Sequence, residues 1–98
     1  MSKLKTLDEA RGMTTEHRTQ NPSATQAHTF NAEHVLSVLQ QPGCTGMRIY
    51  YGMEGAVVKP IIVGVNAADE DMLHSSAMIV SDPRPCPPDC AKPSILNS

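Results

Sequence analysis

The stretch Met47-Arg-Ile-Tyr-Tyr-Gly-Met-Glu-Gly-Ala-Val-Val-Lys-Pro-Ile-Ile-Val-Gly-Val65 reads as two strands joined by a turn. Met47, Ile49 and Tyr51 alternate with Arg48 and Tyr50, the period of a half-buried strand. Gly52-Met-Glu-Gly55 has the composition of a hairpin connection. Residues 56–65, rich in Val and Ile, form the return strand. Pro60 has no N–H to give to a ladder, so it marks a bulge or a position that faces an open edge.

Upstream of this hairpin the spacing predicts a helix. Asn31 is a good N-cap for a segment running to about Gln40, with Phe30 at N′ and Val35 at N4 in the arrangement of a hydrophobic staple. Val35, Leu36, Val38 and Leu39 give it one apolar face, and Pro42-Gly43 ends it. Downstream, residues 66–71 are polar and acidic and read as a solvated turn. A helical turn is expected around Met72-Leu73, and residues 77–80 form a third strand. From Ser81 the chain becomes proline-rich, and proline fixes φ and removes donors, so residues 82–98 are expected to lie extended or to form a rigid turn. At the other end, Thr6 and Glu9 fit a capping box over a short helix at residues 4–11. Residues 12–29 carry few apolar anchors and read as a flexible arm. The expected fold class is α+β: one helix packed on a small antiparallel sheet of about three strands, occupying residues 30–81, with a disordered N-terminal arm (1–29) and a Pro/Cys-rich C-terminal tail (82–98).

Composition narrows the function classes. A chain of 98 residues allows one domain, and with only 3% aromatic residues and no Trp its core must come from Val, Ile, Leu and Met. The net charge of −2, with basic residues scattered, argues against nucleic acid as a partner. No window approaches the roughly 18 apolar residues of a membrane span, and no signal peptide opens the chain. A cytoplasmic setting with no membrane partner is the expectation. Gly52, Gly55 and Gly64 do not make a phosphate loop, and Asp69, Glu70 and Asp71 lack the spaced oxygens of a calcium loop.

The chemically pointed residues are the three cysteines. Cys44, Cys86 and Cys90 all fall in glycine- or proline-bounded segments, away from the apolar runs where core-filling cysteines more often sit. If they converge, with His74 or His34 as fourth ligand, their soft thiolates suit zinc or iron. The plainer alternatives are reduced thiols, or a disulfide joining Cys44 to Cys86 or Cys90. A nucleophilic Cys44 activated by His34 or Arg48 is a further candidate, without any specified oxyanion hole or pocket.

Three segments carry a resemblance: Gln41-Pro-Gly-Cys-Thr-Gly-Met-Arg-Ile-Tyr-Tyr-Gly52, Ile62-Val-Gly-Val-Asn66 and Pro85-Cys-Pro-Pro-Asp-Cys90. In order and spacing, over about residues 33–90, the chain resembles a family of short bacterial proteins, mainly from Bacteroidetes. In that family a QPGC-G-RIY segment precedes an LVGVD strand and a PCPP-C tail. The resemblance implies a common fold and no chemistry. Asn66 stands where that family often carries Asp.

These readings point to a small non-enzymatic protein-binding or assembly module, because one helix on three strands leaves a sheet edge open for a protein partner or a second copy. Met47, Met53, Met72 and Met78 suit either an adaptable interface or a core. The thiolate metal protein is the alternative.

Overall fold

The computed structural model describes residues 2–88, 90, 94 and 96. Its elements are α1 (Leu7–Gln20), β1 (Ala27–Thr29), α2 (Ala32–Leu39), β2 (Cys44–Glu54), β3 (Val57–Asn66), β4 (Ile79–Val80) and β5 (Arg84–Cys86). They form two units, Phe30–Pro83 and the two chain ends, Met1–Thr29 with Arg84–Ser98. The α+β class holds: helices, one antiparallel three-stranded sheet and a two-stranded ribbon.

In the first of these units the sheet order is β2-β3-β4. The long hairpin pairs from Cys44↔Asn66 to Glu54↔Val57, with a register irregularity between Cys44 and Gly46. The turn is Gly55-Ala56 rather than 52–55, and β2 runs three residues past Tyr51 to reach it. A two-residue turn with positive φ at its first position (Gly55, φ 64) matches the type II′ connection, whose twist suits the flanking strands. Strand β4 pairs only with Ile62 and Val63. The expected helical turn at Met72-Leu73 is absent. An isolated bridge joins Val65 to Asp71, and Met72 N–H donates to Gly64 O at 2.9 Å, so the backbone here is held by the sheet.

Pro60 lies in the central strand without disrupting it. The pair flanking a two-residue hairpin turn is hydrogen-bonded and the pattern then alternates, so Tyr51↔Pro60 falls at a non-hydrogen-bonded pair. The nitrogen of Pro60 therefore points to the β4 side, where β4 has already ended. Ser81 Oγ donates to Pro60 O on that side at 3.0 Å.

Helix α2 packs on β2, β3 and β4. Asn31 is its N-cap, as the sequence suggests, although the side chain makes no capping hydrogen bond. Val38 and Ile62 are fully buried, joined by Val63, Val65 and Met72. Gln41, just past the helix, ties it down: Nε2 donates to Val38 O at 2.9 Å, and Oε1 accepts Met78 N–H at 3.0 Å. Gly64 makes the close approach possible. A Cβ there would lie 2.9 Å from Gln41 Nε2 and 3.2 Å from both Cys44 Sγ and Met72 Sδ.

The second unit corrects the expectation of a disordered arm. Helix α1 continues through Gly12 to Gln20 instead of ending near Arg11. Thr6 and Glu9 form the full capping box, with acidic residues in the first turn and His17 and Arg18 in the last, complementing the helix dipole. The helix buries no residue, so local terms support it. Strand β1 pairs antiparallel with β5 (Ala27↔Cys86 to Thr29↔Arg84), and Arg18 Nη1 donates to Leu96 O at 2.6 Å. Because these partners come from the far end of the chain, local reading misses them. Of the tail, residues 89, 91–93, 95, 97 and 98 lie outside the described residues.

Candidate functional site

The outer edge of β2 is the most exposed functional-looking surface. Among the described residues no strand pairs with it, although β2 is eleven residues long. An eight-residue helix such as α2 is about 12 Å long, while an eleven-residue strand runs about 36 Å. The helix therefore covers only part of its face of the sheet. Gln41 over Gly64 identifies that face, which by alternation also carries Met47, Ile49, Tyr51, Met53 and Val58. All five are exposed, Tyr51 at 82% and Met53 at 67%.

Hairpin alternation also sets the backbone. Arg48, Tyr50, Gly52 and Glu54 direct their N–H and C=O groups to β3, so those of Met47, Ile49, Tyr51 and Met53 point outward. Apolar side chains and free backbone groups thus belong to the same residues. An added strand would bond its backbone at the positions where it also meets apolar side chains.

The opposite face of β2 is polar and internally tied. Arg48 donates to Asp71 and, at 2.7 Å, to Asp69; the Tyr50 hydroxyl donates to Asp71. Hydrogen bonding from Tyr50 and then Arg48 holds the Asp71 carboxyl below the usual aspartate range. The Tyr50–Asp71 bond raises the Tyr50 phenol, and Arg48's own bond to Asp71 leads the causes that raise Arg48. The acidic run is therefore not a uniformly solvated turn: the Asp71 side chain is 16% exposed against 84% for Asp69. Asn66 builds the turn, its Oδ1 accepting from Ala68 N–H and Glu70 N–H, both at 3.0 Å. An Asp could accept both bonds but could not supply the third, in which Asn66 Nδ2 donates to Glu70 Oε1 at 3.1 Å, so Asn holds this turn with a donor that Asp lacks. Lys59 bridges Asp82 at 2.8 Å and Glu54 at 3.2 Å, and these bonds, Asp82 first, raise its pKa.

The thiols are arranged otherwise than expected. Cys86 and Cys90 form a disulfide, with Cα atoms 4.5 Å apart, inside the range a disulfide spans. The expected link from Cys44 to the tail is corrected, because Cys44 is free. The turn at Pro87-Pro88 brings the nearer partner into reach, with Cys90 N–H donating to Pro88 O at 3.1 Å. Two of the three cysteines named for zinc or iron are thus not thiolates. Cys44 is half-buried, its thiol donating to Gly46 O at 3.1 Å. His74 is exposed, with Nδ1 3.2 Å from Ser76 Oγ, on a shallow open groove of about 320 Å³ shared with Gln40 and Met78. His34 is exposed on α2, and Arg48 is engaged by its aspartates. Among the described residues, no three His, Cys, Asp or Glu side chains group to hold a metal ion. A disulfide is rare in reducing compartments, so this bond and the cytoplasmic expectation pull in opposite directions.

Among the described residues no helix is long and apolar enough to cross a membrane. No protein-family model, curated protein or solved structure matches the chain. Sequence reading missed the length of the edge, because Gly46 and Gly52 conceal strand residues, and it missed Gln41 and Asp71, whose roles depend on distant partners.

Proposed function

We propose that this chain is a small non-enzymatic protein-binding or assembly module whose working surface is the outer edge of β2. The observation that carries the reading is the coincidence, at Met47, Ile49, Tyr51 and Met53 on an edge that no strand pairs among the described residues, of outward backbone groups with exposed apolar side chains. Strand addition uses both: backbone hydrogen bonds supply affinity and alternate side chains supply selectivity. Soluble monomers usually blunt such edges with lysine, proline or inward-pointing charge. Strand β2 contains no Lys or Pro, and its two charged residues sit on the other face. The thiolate alternative has less support, since Cys86 and Cys90 are bonded to each other.

The test compares the wild-type chain with Tyr51→Pro. The Tyr51 N–H faces outward, so proline removes no bond to β3 and obstructs only the edge. A displayed library of extended peptides is panned against both, and the mass of each is followed with concentration. Peptide binding or self-association that Tyr51→Pro abolishes supports the module. An edge that takes neither a peptide nor a second copy overturns it.

A further inference from the structure

We infer that the strand received by the β2 edge is β2 of a second copy, paired antiparallel about a two-fold axis at Tyr51. This rests on the module reading above and names its partner. A two-fold interface requires that if residue i meets j, then j meets i. Centred on Tyr51, the register places Tyr51 opposite Tyr51, Ile49 opposite Met53, Tyr50 opposite Gly52 and Arg48 opposite Glu54. Ile49, Tyr51 and Met53 then each meet an apolar residue, while Met47 lies opposite the turn at Gly55. The only two charged residues of β2 are opposite in sign and stand three positions on either side of Tyr51, so the Arg48–Glu54 pair forms twice in the dimer. Tyr50 lies over Gly52, a glycine with no side chain of its own to pack.

Backbone parity agrees with this register. Tyr51, Ile49 and Met53 carry the outward N–H and C=O groups, and these are the residues that form hydrogen-bonded pairs when the axis passes through Tyr51. Neighbouring registers keep the parity, and the axis at Tyr50 also matches the apolar residues (Ile49 with Tyr51, Met47 with Met53), but they lose the charge match. An axis at Tyr50 sets Arg48 against Gly52 and leaves Glu54 facing Gly46. An axis at Ile49 sets Arg48 against Tyr50 and Gly46 against Gly52. Arg48 need not give up Asp71 in the dimer. Asp69, its more exposed partner, is the contact that Glu54 of the second copy joins. The product is a continuous six-stranded sheet whose outer edges are the two β4 strands.

The test uses the full chain in two ways. In the first, wild-type amide exchange is measured across a concentration series spanning the rise in mass. Protection is expected to increase with concentration at Ile49, Tyr51 and Met53, while Arg48, Tyr50 and Gly52, already bonded to β3, stay unchanged. In the second, single cysteines are placed at 49, 51 and 53 in a Cys44→Ala background and oxidised. Tyr51→Cys should cross-link to itself, because directly opposed Cα atoms lie about 5.5 Å apart. Ile49→Cys and Met53→Cys should each fail alone, with like positions roughly 14 Å apart, and should cross-link when mixed. A chain that stays monomeric throughout overturns the inference, and peptide capture at the same edge would then leave the module reading standing. A dimer without edge protection, or with self-cross-linking at 49 or 53 instead of 51, also overturns it.

Discussion

The two edges of the three-stranded sheet are managed in opposite ways. At the β4 edge the strand is two residues long and stops at Ser81-Asp82-Pro83, where Asp82 turns with positive φ (57) and takes Lys59. Proline, a charge and brevity leave little backbone to template another strand. At the β2 edge, eleven residues run without Lys or Pro and present Tyr51 and Met53 almost bare. Both edges belong to one sheet and share one central strand, so the contrast comes from their local sequences. Among the described residues one side is closed and the other is left without a partner strand.

The strongest way to break the comparison is to remove what supports both edges. Ile62 is buried in the central strand, paired with Ile49 on one side and Val80 on the other. Ile62→Ala should destabilise the sheet unit by about 2–5 kcal/mol, read as a lower urea midpoint, with loss of order at β2 and β4 together. A smaller effect should fall on β2 alone. Gly55 has φ 64, and Gly55→Ala should cost roughly 1–2 kcal/mol and raise amide exchange at the far end of the hairpin while sparing β4.

The polar face of β2 gives a pH-dependent test. The Asp71 carboxyl is depressed in the folded state, so its contribution is present above the ordinary aspartate value and is lost as pH falls through the lower folded value. The Tyr50 phenol is raised, so its contribution is present below the ordinary phenol value and is lost as pH rises through the higher folded one. Asp71→Asn should remove the first dependence and bring the Tyr50 titration back toward an ordinary phenol, as followed by absorbance in a Tyr51→Phe background. An unshifted Tyr50 titration in Asp71→Asn would show that the Asp71 bond is not what raises it.

The smallest expected effects on stability separate the edges most sharply. Met53→Lys and Ile79→Lys each place a charge on an exposed position, and each should change stability by no more than about 0.5 kcal/mol. Light scattering should nevertheless distinguish them: Met53→Lys abolishes association and Ile79→Lys leaves it intact. Equal behaviour of the two variants would remove the functional distinction between the edges.

The α+β class, the helix capped at Asn31, the antiparallel hairpin and the end of that helix at Pro42-Gly43 are legible in local patterning, because each depends on residues a few positions apart. Capping chemistry likewise marks the start of α1 at Thr6. What needed the folded chain was every feature built from partners remote in sequence. The pairing of β1 with β5, the Arg48–Asp71–Tyr50 cluster, and Gln41 seated over Gly64 and bonded to Met78 are of this kind. The Cys86–Cys90 bond is the instructive exception: its residues are close in sequence, yet spacing alone left its partner open, because the turn at Pro87-Pro88 and not the count of residues sets the distance. The β2 edge lies between the two cases. Its apolar period is written in residues 47–51, but its freedom is not, since an edge is defined by the strand that is absent beside it. Among the described residues that absence is read from the sheet order, and the exposure of the apolar face beside it from a helix too short to cover the hairpin.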